Sequence, residues 1–160
     1  MSSRSVWDLH PLLRERIAAL AEAAERDGWE LLITCTYRSA AEQDKLYEIG
    51  RTTGTPGKTV TNLRGGQSKH NHEEPPGTPC SLACDCAPMV AGKIDWNPRT
   101  EPRWERMVEF GEQCGLVAGA RWPRLRDYPH FELPPEAVAR WVALQEMAAM
   151  AQEQHLYPDL

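Results

Sequence analysis

Leu9, Leu13, Ile17, Leu20 and Ala24 recur at three- and four-residue spacing, Pro11 suits a first helical turn, and Gly28 stands where a helix would be capped. Immediately afterwards, Trp29 to Tyr37 changes to a run of branched and aromatic residues, Trp-Glu-Leu-Leu-Ile-Thr-Cys-Thr-Tyr. An amphipathic helix is thus followed directly by a buried strand. The helix must bury its stripe and the strand must find partners, so this pair commits the chain to helices packed on a sheet.

The remaining punctuation fills in that plan. Ser39-Ala40-Ala41-Glu42 is a capping box and predicts a helix from about Ala40 to Ile49, ending at Gly50. Arg51 to Gly66 loses periodicity and gains Gly, Thr, Pro and Asn, which predicts a surface loop; Glu73 to Pro79 is a second irregular stretch. Neither is long enough to link two domains. Ser81 to Pro88 suits a short strand, and Thr100-Glu101-Pro102 opens a helix through Cys114 with Gly115 at its end. Tyr128 to Leu133 predicts another strand, and Pro134-Pro135 starts a last helix with Val138, Trp141, Val142 and Gln145 in register. The order of elements predicts an α+β fold, a small and mostly antiparallel sheet with flanking helices.

With 160 residues, 41% of them hydrophobic and 26% charged, the chain suits one compact domain with a real core. A formal charge of -5 and the lack of any Lys/Arg cluster argue against nucleic acid or an anionic membrane as partner. No stretch approaches the roughly 20 apolar residues of a membrane span, and Met1 to Trp7 does not resemble a signal peptide, so synthesis in the cytoplasm is expected. Five cysteines, an odd number in a chain of this size, do not imply a disulfide framework, although a Cys80–Cys86 bridge stays open.

The chemistry-bearing residues fall in separate segments. Asp127 precedes His130 by three positions, and upstream lie Ser68-Lys69-His70 and Asp85. His70, Asp85 and His130 form a set of N and O ligands that leaves one position of a tetrahedral zinc ion open to water, with Asp127 available for the water's proton. Ser68-x-His70, Ser81-Leu82-Ala83-Cys84-Asp85, Gly119-Ala120-Arg121-Trp122 and Asp127-x-Pro129-His130-Phe131 occur in that order. Over about residues 30 to 133 the chain resembles the zinc D,D-peptidase and L-alanyl-D-glutamate peptidase superfamily, which includes phage endolysins and D-Ala-D-Ala carboxypeptidases.

The resemblance implies a hedgehog/D,D-peptidase-like fold and a single catalytic domain over residues 1–160, with a C-terminal helix from about residue 135 and no separate wall-binding domain. It implies one zinc per chain on His70, Asp85 and His130, with Asp127 as the catalytic acid and base. Arg38 matches an arginine beside the metal that stabilises charge on the scissile carbonyl or anchors a substrate carboxylate. Ser68, Gln43 and Trp122 are expected on the substrate side, Trp122 as pocket wall. Asp127-Tyr128-Pro129-His130-Phe131 looks like the phage endopeptidase branch. The expected activity is therefore hydrolysis of the L-Ala–D-Glu bond of peptidoglycan by a monomeric endolysin, made in the host cytoplasm and acting at the wall after release. A D-Ala-D-Ala carboxypeptidase or dipeptidase with the same zinc site is the alternative enzyme, and a non-catalytic wall- or protein-binding module the alternative outside enzymes.

Fourteen residues separate His70 from Asp85, more than is common in the superfamily, which places an insertion at His72 to Cys80. His72 is then a second candidate for the first ligand. His72, Cys80, Cys84 and Cys86 also form a candidate set for a separate structural zinc. Strict alternation along a strand would send Asp127 and His130 to opposite faces, whereas a turn at Pro129 would not.

Overall fold

The computed structural model describes residues 2–156, so residue 1 and residues 157–160 of the expected 1–160 domain lie outside the described residues. Helix α1 (Pro11–Arg26) starts on the proline, with His10 as N-cap accepting the Leu12 N–H on its ring, and buries Leu13, Ile17, Leu20 and Ala24. Gly28 adopts φ +85°, a left-handed conformation that lets the chain reverse so that the Trp29 N–H bonds back to the Ala24 carbonyl. Strand β1 (Glu30–Cys35) follows, and the Ser39–Glu42 capping box opens α2 (Ala40–Glu48).

Strand β2 (Ala83–Met89), helix α3 (Arg103–Gln113), strand β3 (Val117–Ala118), strand β4 (His130–Glu132) and helix α4 (Pro135–Leu156) complete the main elements. The four strands lie in the order β1-β2-β4-β3, with every pairing antiparallel. The α+β expectation holds. Helices α1 and α3 cover the sheet, and Leu13, Leu20, Trp104, Met107, Phe131 and Leu133 form the centre of the core. Gly111 of α3 is there for closeness: a Cβ at that position would sit 2.3 Å from the Phe131 ring.

Register builds the site. Cys35 of β1 pairs with Asp85 of β2, and Asp85 pairs with His130 of β4, so the middle carboxylate lies between the ends of two neighbouring strands.

Several expectations need correction. The strand expected over Trp29–Tyr37 is shorter and half-buried, because β1 is an edge strand with one side unpaired. The strand expected from Tyr128 begins at His130; Tyr128 and Pro129 form a turn, so Asp127 is not on a strand and alternation does not govern it. Strand β3 has no strong sequence signal because it is two residues long. All five cysteines are free: Cys84 and Cys86 are buried in the core while Cys80 lies outside it, so neither the Cys80–Cys86 bridge nor the proposed His72/Cys80/Cys84/Cys86 zinc set is formed. Among the described residues, no helix is long and apolar enough to cross a membrane.

Candidate metal centre

His70 sits in a 3-10 turn, Lys69–Asn71, that is stitched in place before any metal is considered. Ser68 caps the turn, its hydroxyl accepting the His70 N–H at 3.3 Å, while the Asn71 side chain accepts the Ser68 N–H. The Arg38 N–H donates to the His70 carbonyl (3.0 Å), the Asn71 amide donates to the Arg38 carbonyl (2.6 Å), and the Leu82 N–H donates to the Lys69 carbonyl (3.0 Å). The turn is thereby tied to the segments after β1 and before β2. His70 is only 3% exposed.

Its ring is fixed by one contact. Nδ1 lies 2.6 Å from the Thr36 carbonyl, which can only accept, so Nδ1 carries the proton and Nε2 presents a lone pair. His130 is held in the opposite sense: Nε2 donates to the Glu132 carboxylate at 3.1 Å, leaving Nδ1 free. Glu132 is itself held by the Lys69 ammonium at 3.0 Å, and that ammonium also donates to the Leu133 carbonyl.

The two free nitrogens converge on Asp85. Asp85 Oδ1 lies 3.1 Å from His70 Nε2 and 3.1 Å from His130 Nδ1, and the two nitrogens are 3.3 Å apart. Neighbouring ligand atoms around tetrahedral zinc, each about 2.0–2.1 Å from the metal, are about 3.3–3.4 Å from one another. The triangle fits such an ion with little rearrangement. Cys35 adds a thiol 3.8 Å from His70 Nδ1, and the ligand atoms of Cys35, His70 and Asp85 lie close enough together to hold a metal ion. His72 is elsewhere, with Nε2 3.6 Å from Glu74.

Electrostatics match a site built for a cation. Burial alone would raise the Asp85 pKa, but the two histidines hold it well below the usual carboxylate range. Burial would lower His70, yet the Asp85 charge lifts it to about 10; His130 is raised against its own burial by hydrogen bonds to Asp85 and Glu132. Both shifts run in one direction: the buried Asp85 carboxylate favours positive charge on the groups that face it.

The centre opens into a cleft of about 390 Å³ whose lining includes Arg38, Gln43, Ser68, Trp122 and Asp127 beside the three clustered side chains. The Asp127 carboxylate makes no hydrogen bond among the described residues, and burial together with the Asp85 charge raises its pKa. The Asp127 carbonyl accepts the His130 N–H at 3.2 Å, so the turn at Tyr128-Pro129 brings acid and imidazole to one side. Arg38 reaches Asp85 Oδ2 at 3.5 Å and donates to Gln43 Oε1 at 2.8 Å. Gln43, 1% exposed, donates in turn to the Leu63 carbonyl (2.8 Å) and the Thr61 hydroxyl (3.3 Å). Its amide is occupied in holding Arg38 and the loop wall. The Trp122 ring lies 4.9 Å from that of His130.

Family models described as D-alanyl-D-alanine carboxypeptidase match residues 7–75 and 64–133. The peptidoglycan L-alanyl-D-glutamate endopeptidase CwlK of Bacillus subtilis (strain 168) is 38% identical over 135 residues, covering 80% of this chain and 75% of that protein. The chain belongs to the VanY-type zinc D,D-peptidase and L-Ala-D-Glu endopeptidase superfamily. The crystal structure of the Serratia marcescens L-Ala D-Glu endopeptidase ChiX shares the fold, at TM-score 0.55 and 21% identity over 86% of this chain and 92% of that one. So does the LdcB LD-carboxypeptidase, at TM-score 0.58 and 15% identity over 86% and 64%. The chain carries a zinc-metallopeptidase-like catalytic cluster.

Four contributors escape the sequence motifs. Thr36 acts through its carbonyl, which no side-chain pattern reveals, and Lys69 acts across 63 positions of sequence. Glu132 was legible in principle, since residues i and i+2 of a strand share a face. Cys35 is placed only by the β1–β2 register.

Proposed function

We propose that this protein is a zinc-dependent peptidoglycan endopeptidase that hydrolyses the L-Ala–D-Glu bond of the stem peptide. The observation that carries this reading is the triangle of His70 Nε2, Asp85 Oδ1 and His130 Nδ1, with an unbonded acid, Asp127, in the same cleft. His70, Asp85 and His130 would hold one zinc, which when bound would polarise the scissile carbonyl and lower the pKa of water toward neutrality. Asp127 accepts the proton from the attacking water and returns it to the leaving amine. Arg38, steadied by Gln43 and Asp85, faces the charge that develops on the carbonyl or a carboxylate of the substrate. One such donor contributes about 3 kcal/mol to the transition state. Leu46, Val60, Leu63 and Trp122 supply an apolar wall for alanine methyl groups, and Ser68 sets the floor by fixing the His70 turn. The free Asp127 carboxylate argues for catalysis over a purely binding role.

The fuller proposal is an endolysin acting as a monomer: synthesis in the host cytoplasm, release by a membrane-permeabilising protein, then attack on the wall. The Asp127-Tyr128-Pro129-His130-Phe131 pattern and the similarity to CwlK support the bond assignment. The description of both family models favours a second reading, D-Ala-D-Ala carboxypeptidase. Digestion of purified peptidoglycan separates them. New N-terminal D-Glu amines, lost on chelation and restored by zinc, are expected; free D-Ala as sole product gives the carboxypeptidase, and activity that outlasts complete metal removal contradicts both. Lysis on co-expression with a permeabilising protein, and none without it, is the result expected for the endolysin role.

A further inference from the structure

The insertion between His70 and Asp85 carries a second ligand cluster that the catalytic centre does not use. It is a closed hairpin: Glu73 pairs antiparallel with Pro79, the Cys80 N–H donates to the His72 carbonyl at 3.0 Å, and the Glu74 N–H donates to the Thr78 carbonyl at 3.0 Å. That register sets His72 opposite Cys80, and alternation puts Glu74 on the same face as His72. Glu73 points the other way, taking hydrogen bonds from the Tyr37 hydroxyl and the Gly77 N–H. A ligand atom from each of His72, Glu74 and Cys80 falls within 4.8 Å of the others.

His72 supplies the independent observation. Its Nε2 is buried yet has no hydrogen-bond partner; the Glu74 oxygen is 3.6 Å away, beyond hydrogen-bond distance. A buried polar atom left unmatched is costly, and a cation between imidazole and carboxylate supplies the partner. We propose that His72, Glu74 and Cys80 hold a second metal ion, a zinc-class divalent cation, that closes the insertion hairpin. A thiolate, an imidazole and a carboxylate together select a borderline-soft ion over calcium or magnesium. Ligand atoms around zinc with one sulfur stand about 3.5 Å apart; His72 Nε2 and Glu74 at 3.6 Å already meet that spacing, and the Cys80 thiol lies within 4.8 Å of both. Glu74, the exposed member, has the freedom to adjust to the ion, and water completes the coordination. The ion would also brace the His70 turn, because the His72 N–H bonds to the Lys69 carbonyl.

The site shares no ligand with the catalytic centre, and metal counting on the full chain tells them apart. Protein stripped of metal, reloaded with zinc and dialysed is expected to hold two equivalents. Cys80→Ser and His72→Ala should each lose one and still hydrolyse peptidoglycan, while His70→Ala should lose the other. Cobalt reports the thiolate: its sulfur-to-metal absorption band should vanish in Cys80→Ser and survive in Cys35→Ser and His70→Ala. Two equivalents retained by Cys80→Ser, a band that follows Cys35, or a total of only one equivalent in the parent protein that His70→Ala abolishes would each overturn the proposal. A single equivalent lost in Cys80→Ser and kept in His70→Ala would uphold the hairpin site and sink the catalytic ligand set instead.

Discussion

Each imidazole at the centre presents one nitrogen because the other is already bonded, His70 through the Thr36 carbonyl and His130 through Glu132. Outer partners of this kind set ligand orientation and basicity, and their loss costs about 10- to 100-fold in metal affinity. Glu132→Gln keeps an acceptor but removes the charge. It should weaken zinc binding by about tenfold in competition with a chromophoric chelator, with the fold intact. Asp127 plays a different part: its carboxylate bonds to neither imidazole and lines the cleft with a raised pKa. Asp127→Asn should retain zinc stoichiometrically while turnover falls by roughly 10²- to 10⁴-fold, the usual contribution of a general acid–base. In the metal-free protein, burial and the Asp85 charge both oppose ionisation of Asp127, so its carboxyl should titrate above the ordinary carboxylate range in a carbon-detected NMR titration. Titration at or below that range would contradict the placement of Asp127 beside Asp85.

At the level of elements, the site is a product of strand register: β2 carries Asp85 between Cys35 and His130, and the 3-10 turn delivers His70 from the side. Gly119 is a tight point in this framework. A Cβ there would lie 2.7 Å from the Asp127 carbonyl oxygen and 3.0 Å from His130 Cβ, so the backbone of the Asp127–His130 turn would have to move. Gly119→Ala should cost about 1–3 kcal/mol in urea unfolding, as overpacking does, and should reduce activity more than that loss of stability explains. The sequence made much of this legible. Helical spacing located α1, the capping box located α2, and the Ser-x-His and Asp-x-x-His motifs named the residues that converge. Other features were not legible for physical reasons. The half-buried state of β1 follows from its edge position, a property of the sheet and not of Leu31 to Thr34, and the turn at Pro129 overrides the branched and aromatic signal around it.

For the whole molecule, the segment predicted only as a surface loop becomes one wall of the cleft, with Val60 to Leu63 tied back through Gln43 to Arg38. Wall, metal centre and acid are therefore mechanically linked. Protons and metal also compete across the molecule. In the metal-free protein, folding raises His70 from 6.5 to about 10, so its pairing with Asp85 contributes stability in full below pH 6.5 and loses it as pH rises through about 10. Zinc must displace that proton. Apparent zinc affinity should therefore rise with pH from 6.5 toward 10, with proton release seen as a buffer-dependent heat in calorimetry; affinity that is flat over this window would contradict the pairing. The most direct test of the account is anomalous diffraction at the zinc edge from crystals of the zinc-loaded protein. The account predicts a peak bonded to His70 Nε2, Asp85 and His130 Nδ1, facing Asp127. No peak at that triangle, or a peak there that leaves out any one of the three residues, would contradict it.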